Sequence, residues 1–218
     1  MRGIAPTAFL DPQALACGLT EAMLRDGVEA TYRVLDSIDG PLLDEAGMRI
    51  AEVVELANLS AMLGNVLASS IVRHSGGAFE RAGAHKYQDL RACTADGEHI
   101  EIKVALEANK PKGHLAKPGH YLTFRYVLGN ERGRFERGNR GDVVWLWEVR
   151  FGLLEEEHFA ISNTDGDSGK TAVVTKEGMQ RLKLVYYDPR FLPLARANYY
   201  WKTYGSAGSE QPELPLVR

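Results

Sequence analysis

Between Leu90 and Val104 the chain alternates in a way that leaves few folds open to it. In Ile100-Glu101-Ile102-Lys103-Val104, apolar and charged residues take turns, the period of a strand with one buried face. Glu101 and Lys103 then project to one side, and Ile100, Ile102 and Val104 to the other. Upstream, Leu90 and Ala92 alternate with Asp89 and Arg91, and Asp96-Gly97 separates the two runs as turn residues do. A β-hairpin is expected. A two-residue turn at Asp96-Gly97 would set Asp89 opposite Val104, on the apolar side. A three-residue loop, Ala95-Asp96-Gly97, with glycine in the left-handed position and a bulge, pairs Leu90 with Ile102, Arg91 with Glu101 and Asp89 with Lys103. That register gathers Asp89, Arg91, Glu101 and Lys103 on one face, and a slip of one residue would scramble both faces.

The rest of the chain supplies what such a hairpin needs behind it. Asp44 to about His74 carries Ile50, Val53, Leu56, Leu59, Leu63, Leu67 and Ile71 near a helical period, so one long helix is expected there. An earlier helix is expected from Asp11-Pro12, broken near Gly27 and stopped at Gly40-Pro41. Strands are expected over residues 121–128, 143–151, 159–162 and 171–174, with basic loops over 109–120 and 129–141. Thr175 fits the cap of a helix running through Met179, Leu182 and Leu184, and a last helix is expected after Pro193. The fold class implied is α+β (mixed α/β). Residues 1–204 read as one domain, helical up to about residue 75, and 205–218 as an extended or disordered tail.

Composition narrows the function classes. At 44% hydrophobic and 25% charged, with no apolar run long enough to span a bilayer and no secretion signal, the chain reads as a cytoplasmic protein with no membrane partner. Cys17 and Cys93 fit no metal-finger spacing, nor do His99, His114 and His120. Net charge is −3, yet residues 103–140 hold nine Lys or Arg against three acids. The remainder holds 17 basic and 26 acidic residues, so the positive charge sits just downstream of Glu101-x-Lys103. Such asymmetry can focus a polyanion onto one face.

Asp89, followed by Glu101-x-Lys103 on the far arm of a hairpin behind a long helix, resembles the PD-(D/E)xK nuclease superfamily. That superfamily includes many type II restriction endonucleases and DNA-repair nucleases. The resemblance spans roughly residues 45–128, and it departs at Gln88, which stands where proline is named in the motif. It implies a restriction-endonuclease-like core, a mixed central β-sheet flanked by helices. It also implies a Mg²⁺-dependent endonuclease cutting double-stranded DNA, with one or two ions per site and Mn²⁺ as a substitute. Asp89, Glu101 and the Ile102 carbonyl would be metal ligands and Lys103 the catalytic lysine. Glu55 would be the acid from the preceding helix, with Glu52, Asn65 and Glu80 as alternatives. Lys110, Lys112, His114, Lys117, Arg132, Arg134, Arg137 and Arg140 are the candidate DNA contacts. One small chain that must both recognise and cut a duplex points to a homodimer on a palindromic site. The competing readings are a non-catalytic DNA-binding protein of the same fold, and a repair or phage nuclease acting on branched or single-stranded DNA. The plain structural alternative is a cross-strand ion pair between Asp89 and Lys103.

Overall fold

The computed structural model describes residues 2–4, 11–83, 87–95, 97–113, 115–162 and 171–193. Three helices open the chain: α1 (Glu21–Ala46), α2 (Ile50–Val53) and α3 (Leu56–Arg73). Thr20 starts α1 by accepting the Met23 N–H at 3.3 Å, and the residues around Asp11-Pro12 form only a 3-10 turn, Pro12–Ala14. Neither break expected in this helix occurs. Gly27 lies against α3, where a Cβ would stand 2.6 Å from Ile71 Cγ1, so glycine there permits close helix packing. Pro41 falls near the helix end and removes a single backbone donor. The true stop is Gly47, at φ +66°, whose N–H bonds the Leu43 carbonyl at 3.0 Å.

The single helix expected over 44–74 is therefore two, because local polar groups start the chain afresh. Buried Asp39 accepts the Ile50 N–H at 2.9 Å, and Glu52 accepts the Arg49 N–H at 2.9 Å. Extended backbone at Val54 and Glu55 then separates α2 from α3.

Nine strands follow among the described residues: β1 (Phe79–Arg81), β2 (Leu90–Ala92), β3 (Ile100–Leu106), β4 (Lys112–Gly113), β5 (Gly119–Gly129), β6 (Val143–Leu154), β7 (Phe159–Ser162), β8 (Thr171–Val174) and β9 (Lys183–Tyr187). Six form a central sheet in the order β1-β2-β3-β5-β6-β9, and β4-β8-β7 form a small second sheet. The central sheet is mixed: β3 and β5 run parallel, and every other neighbouring pair runs antiparallel. The mixed α+β class expected from the sequence is what the chain adopts. Thr175 does cap α4 (Lys176–Arg181), accepting the Gly178 N–H at 3.0 Å. That helix ends sooner than expected: Leu182 is extended and Leu184 belongs to β9, a run whose Val-Tyr-Tyr suits a strand. The loop 163–169, the helix expected after Pro193 and the tail lie outside the described residues.

The core is two-sided. Leu24, Val28 and Leu35 of α1 and Leu59, Leu63, Leu67 and Ile71 of α3 bury one face of the sheet, against Ile100, Ile102, Leu122 and Phe124. On the opposite face Val127, Trp145, Trp147, Tyr187 and Phe191 form a second cluster. Beside it lies a buried ion triad. Glu148 contacts Arg125 of the neighbouring strand β5 at 3.0 Å and Arg150, two residues on along β6, at 2.9 Å. No helix among the described residues is long and apolar enough to cross a membrane.

Candidate active site

The hairpin forms in a register two residues away from the expected one: Leu90 pairs with Ile100, not Ile102. A shift of two preserves which face each side chain takes, so the sorting of charges survives. The connection is longer than the three-residue loop. The His99 ring accepts the Ala92 N–H at 3.0 Å, which ends the ladder early. Gly97 is not left-handed. It is small because a Cβ would meet Ala92 Cβ and Thr94 Oγ1, both at 2.7 Å. Asp96 lies outside the described residues.

The short pairing has a consequence for β3. Beyond Ile100 its edge toward β2 has no strand partner among the described residues, and a cleft of about 890 Å³ follows that edge. Six consecutive residues, Glu101 to Leu106, line it, as expected where a cleft meets a strand edge and sees both faces. One wall is α3, through Ala57, Ser60, Gly64 and Asn65. The other is the second sheet, through Lys112, Gly113 and Val173.

Asp89, Glu101 and Lys103 all line this cleft. Two crossed bonds fix the carboxylates: Asp89 Oδ2 accepts the Ile102 N–H at 2.9 Å, and Glu101 Oε2 accepts the Gln88 N–H at 2.9 Å. Asp89 thus satisfies a backbone donor that a strand would otherwise take. A residue's N–H and C=O leave a strand on the same edge, so the Ile102 carbonyl shares the open edge with Asp89. The Asp89–Lys103 ion pair is not formed. Lys103 Nζ instead pairs with Glu101 Oε1, and Asp89 Oδ1 faces Arg81 of β1 at 3.8 Å. Arg81 also donates to Asn65 Oδ1 at 3.1 Å, tying β1 to α3 above the site.

Gln88 explains its own departure from the motif. Its φ is +70°, a left-handed conformation closed to proline, and its N–H, which proline lacks, holds Glu101. Gln88→Gly is expected to leave stability unchanged or raise it by up to about 1 kcal/mol, since glycine enters this region freely. Gln88→Pro is expected to cost about 3 kcal/mol or more through strain and a lost charged hydrogen bond. Urea unfolding of the two variants checks both signs, and equal stability of the pair would sink the account.

The preceding residue builds the support. The Tyr87 and Tyr121 hydroxyls meet at 3.2 Å, and Tyr121 donates to the Lys117 carbonyl at 2.8 Å. Burial first, then the bond to Tyr87 and the Glu101 charge, raises the Tyr121 phenol. Burial likewise raises Tyr87, so both stay neutral.

The remaining sequence candidates divide. Lys110, Lys112 and Arg140 line the cleft, Arg140 held to Glu107 at 2.7 Å. Lys117 sits over the Tyr87 ring at 4.3 Å. Arg132, Arg134 and Arg137 are on the loop before β6 and do not line the cleft, and His114 lies outside the described residues. Of the helix candidates, only Asn65 reaches the cleft. Glu55 is at the N-cap of α3, Glu52 serves the start of α2, and Glu80 pairs with Arg91 at 3.3 Å. Arg81 is the residue sequence reasoning missed, since a three-residue strand gives no periodicity to read.

No family model matches the chain, and no curated protein matches its sequence. The cleft itself joins two carboxylates at a strand edge to an amine, under a rim of lysines and arginine. Such a set can hold a hard cation and attract a phosphodiester.

Proposed function

We propose that this chain is a Mg²⁺-dependent DNA endonuclease with a restriction-endonuclease-like core, a type II enzyme that cuts double-stranded DNA as a homodimer in the cytoplasm. The observation that carries the reading is the meeting of Asp89, Glu101 and Lys103 in one cleft with Lys110, Lys112 and Arg140 around it. The donor set fits the ion. Carboxylate and carbonyl oxygens from Asp89, Glu101 and Ile102 are what Mg²⁺ or Mn²⁺ takes, and Arg81 and Lys103 already answer the negative charge that a cation would share. Bound there, the metal would lower the pKa of a water and neutralise charge on the phosphorus oxygens.

The chain's own residues do the rest. The Gln88 and Ile102 N–H groups hold the two carboxylates in place, so no reorganisation is needed when substrate arrives. Lys103 orients the attacking water or contacts the scissile phosphate. Lys110, Lys112 and Arg140 grip neighbouring phosphates and release their counterions, which makes binding salt-sensitive. One site per chain cutting both strands of a duplex requires a second copy, related by a two-fold axis.

The test is incubation of supercoiled plasmid with purified protein. Cleavage is expected with Mg²⁺ or Mn²⁺ and none after a chelator removes the metal. A second reading, a non-catalytic DNA-binding protein of this fold, is favoured by one observation: α3 gives the cleft no carboxylate among the described residues. Salt-sensitive DNA binding without cleavage in any divalent metal would select it. Cleavage confined to branched or single-stranded DNA would select a repair or phage nuclease instead.

A further inference from the structure

Outside the residues that line the cleft, a different set of donors converges. Cys17, Glu98 and His120 place one ligand atom each within 4.8 Å of one another. They come from three separate pieces of chain: the turn before α1, the β2–β3 connection, and the start of β5. His120 Nδ1 lies 2.8 Å from Glu98 Oε2, and its ring is stacked on Phe151 at 5.8 Å, which fixes its orientation. Cys17 is half-buried and its backbone is left-handed, φ +60°, a strained state for a residue with a Cβ. The surrounding structure maintains that strain and aims the sulfur at the other two groups.

A histidine–glutamate ion pair explains two members of this trio but not the third. A cation shared by the three would attract every one of the ligand atoms at once. Sulfur, imidazole nitrogen and carboxylate oxygen together form a borderline-soft set, the kind that zinc takes and Mg²⁺ does not. Glu98 and His120 also line an open pocket of about 340 Å³, which leaves room for water as a fourth ligand.

We propose that Cys17, Glu98 and His120 bind a zinc ion that clamps the N-terminal segment to the entry of the candidate active-site strand. Glu98 lies two residues before β3, and His120 pairs with Ile100 in the parallel ladder. The ion therefore closes the irregular connection between Asp89 and Glu101. It is separate from the Mg²⁺ proposed in the cleft and stands whether or not the protein cuts DNA.

The experiment uses the full chain, stripped with a chelator and titrated with Co²⁺ and Zn²⁺. One equivalent of Co²⁺ is expected to give a thiolate charge-transfer band and the visible bands of a tetrahedral ion, both displaced by Zn²⁺. The unfolding midpoint should rise with Zn²⁺. The spectrum should survive in an Asp89→Asn/Glu101→Gln double variant and in Cys93→Ser, whose exposed thiol is the control, and disappear in Cys17→Ser. A cobalt spectrum with no thiolate band, or one unchanged in Cys17→Ser, overturns the assignment. Should Cys17→Ser fail to fold, Glu98→Gln decides, because Glu98 is exposed: Co²⁺ affinity at least about 10-fold weaker supports the site, and unchanged affinity overturns it.

Discussion

Lys103→Ala is expected to abolish metal-dependent plasmid cleavage, with a fall of at least about 10²–10³-fold in single-turnover rate, while fold and DNA affinity remain. The expectation rests on what Lys103 does and does not support. Its ammonium pairs with Glu101, but that carboxylate is separately held by the Gln88 N–H, so it keeps its place when the lysine is removed. Glu101 is buried, but Lys103 stays partly exposed along the open cleft, where water can take over part of what the ammonium does, so some stability is lost while the fold persists. Removing the cation leaves the cleft more negative, which favours a divalent ion. Metal binding should therefore be equal or tighter in the variant, and only the chemistry should suffer. Lys103→Arg should not restore it. The lysine stem runs beside Gly113, where even a Cβ would come within 3.0 Å of Cε, and the broader guanidinium cannot follow the same path. Retained cleavage in Lys103→Ala would reject the nuclease reading, and loss of cleavage together with unfolding would reduce Lys103 to a structural partner.

What the sequence made legible about this site was its parity. Alternation in Ile100–Val104 fixed which face Glu101 and Lys103 take, and a register error of two residues left that unchanged. Distances along the ladder were not legible, because a side-chain bond from His99 to the Ala92 backbone shortened the pairing, and no propensity encodes that. The helices show the same division. Apolar periodicity marked the buried face of α3, yet the end of α1 and the start of α2 were set by Gly47, Asp39 and Glu52, single small or polar residues acting on the backbone. Gly27 and Pro41 have the intrinsic cost of helix breakers, yet close packing against α3 keeps the helix whole at Gly27, and Pro41, near the helix end, costs it a single donor. The parallel pairing of β3 with β5 had no local signal, since a strand's own pattern says nothing of its neighbour's direction. Charge was misread in one respect: Arg125 counts among the basic residues of 103–140, but it is committed inside the protein.

That commitment sets the second large effect. Glu148→Ala is expected to destabilise the fold by about 3–5 kcal/mol, because it removes the carboxylate that two buried guanidinium groups share. Glu148 is 1% exposed, and the side chains of Arg125 and Arg150 are 10% and 9% exposed. Each arginine also has a backbone acceptor, the Asn109 carbonyl for Arg125 and the Leu182 carbonyl for Arg150, both at 3.1 Å. These satisfy donors but cancel no charge, so the like charges would face each other in a poorly screened interior. For a chain of this size the cost corresponds to roughly 10 °C in the unfolding midpoint, a large share of a total stability of about 5–15 kcal/mol. Glu148→Gln should cost less, since the amide oxygen still accepts. The triple variant Arg125→Met/Glu148→Leu/Arg150→Leu should recover most of the loss by removing all three charges at once. Thermal unfolding of the three variants checks the order, and a wild-type midpoint in Glu148→Ala would show that the charges are screened after all. Because Arg125 grips the Asn109 carbonyl, the same triad anchors the segment that carries Lys110 and Lys112 into the cleft wall. Glu148→Gln, the milder change, should then weaken DNA binding before it weakens the fold, which a salt titration of binding at a temperature well below the midpoint can resolve.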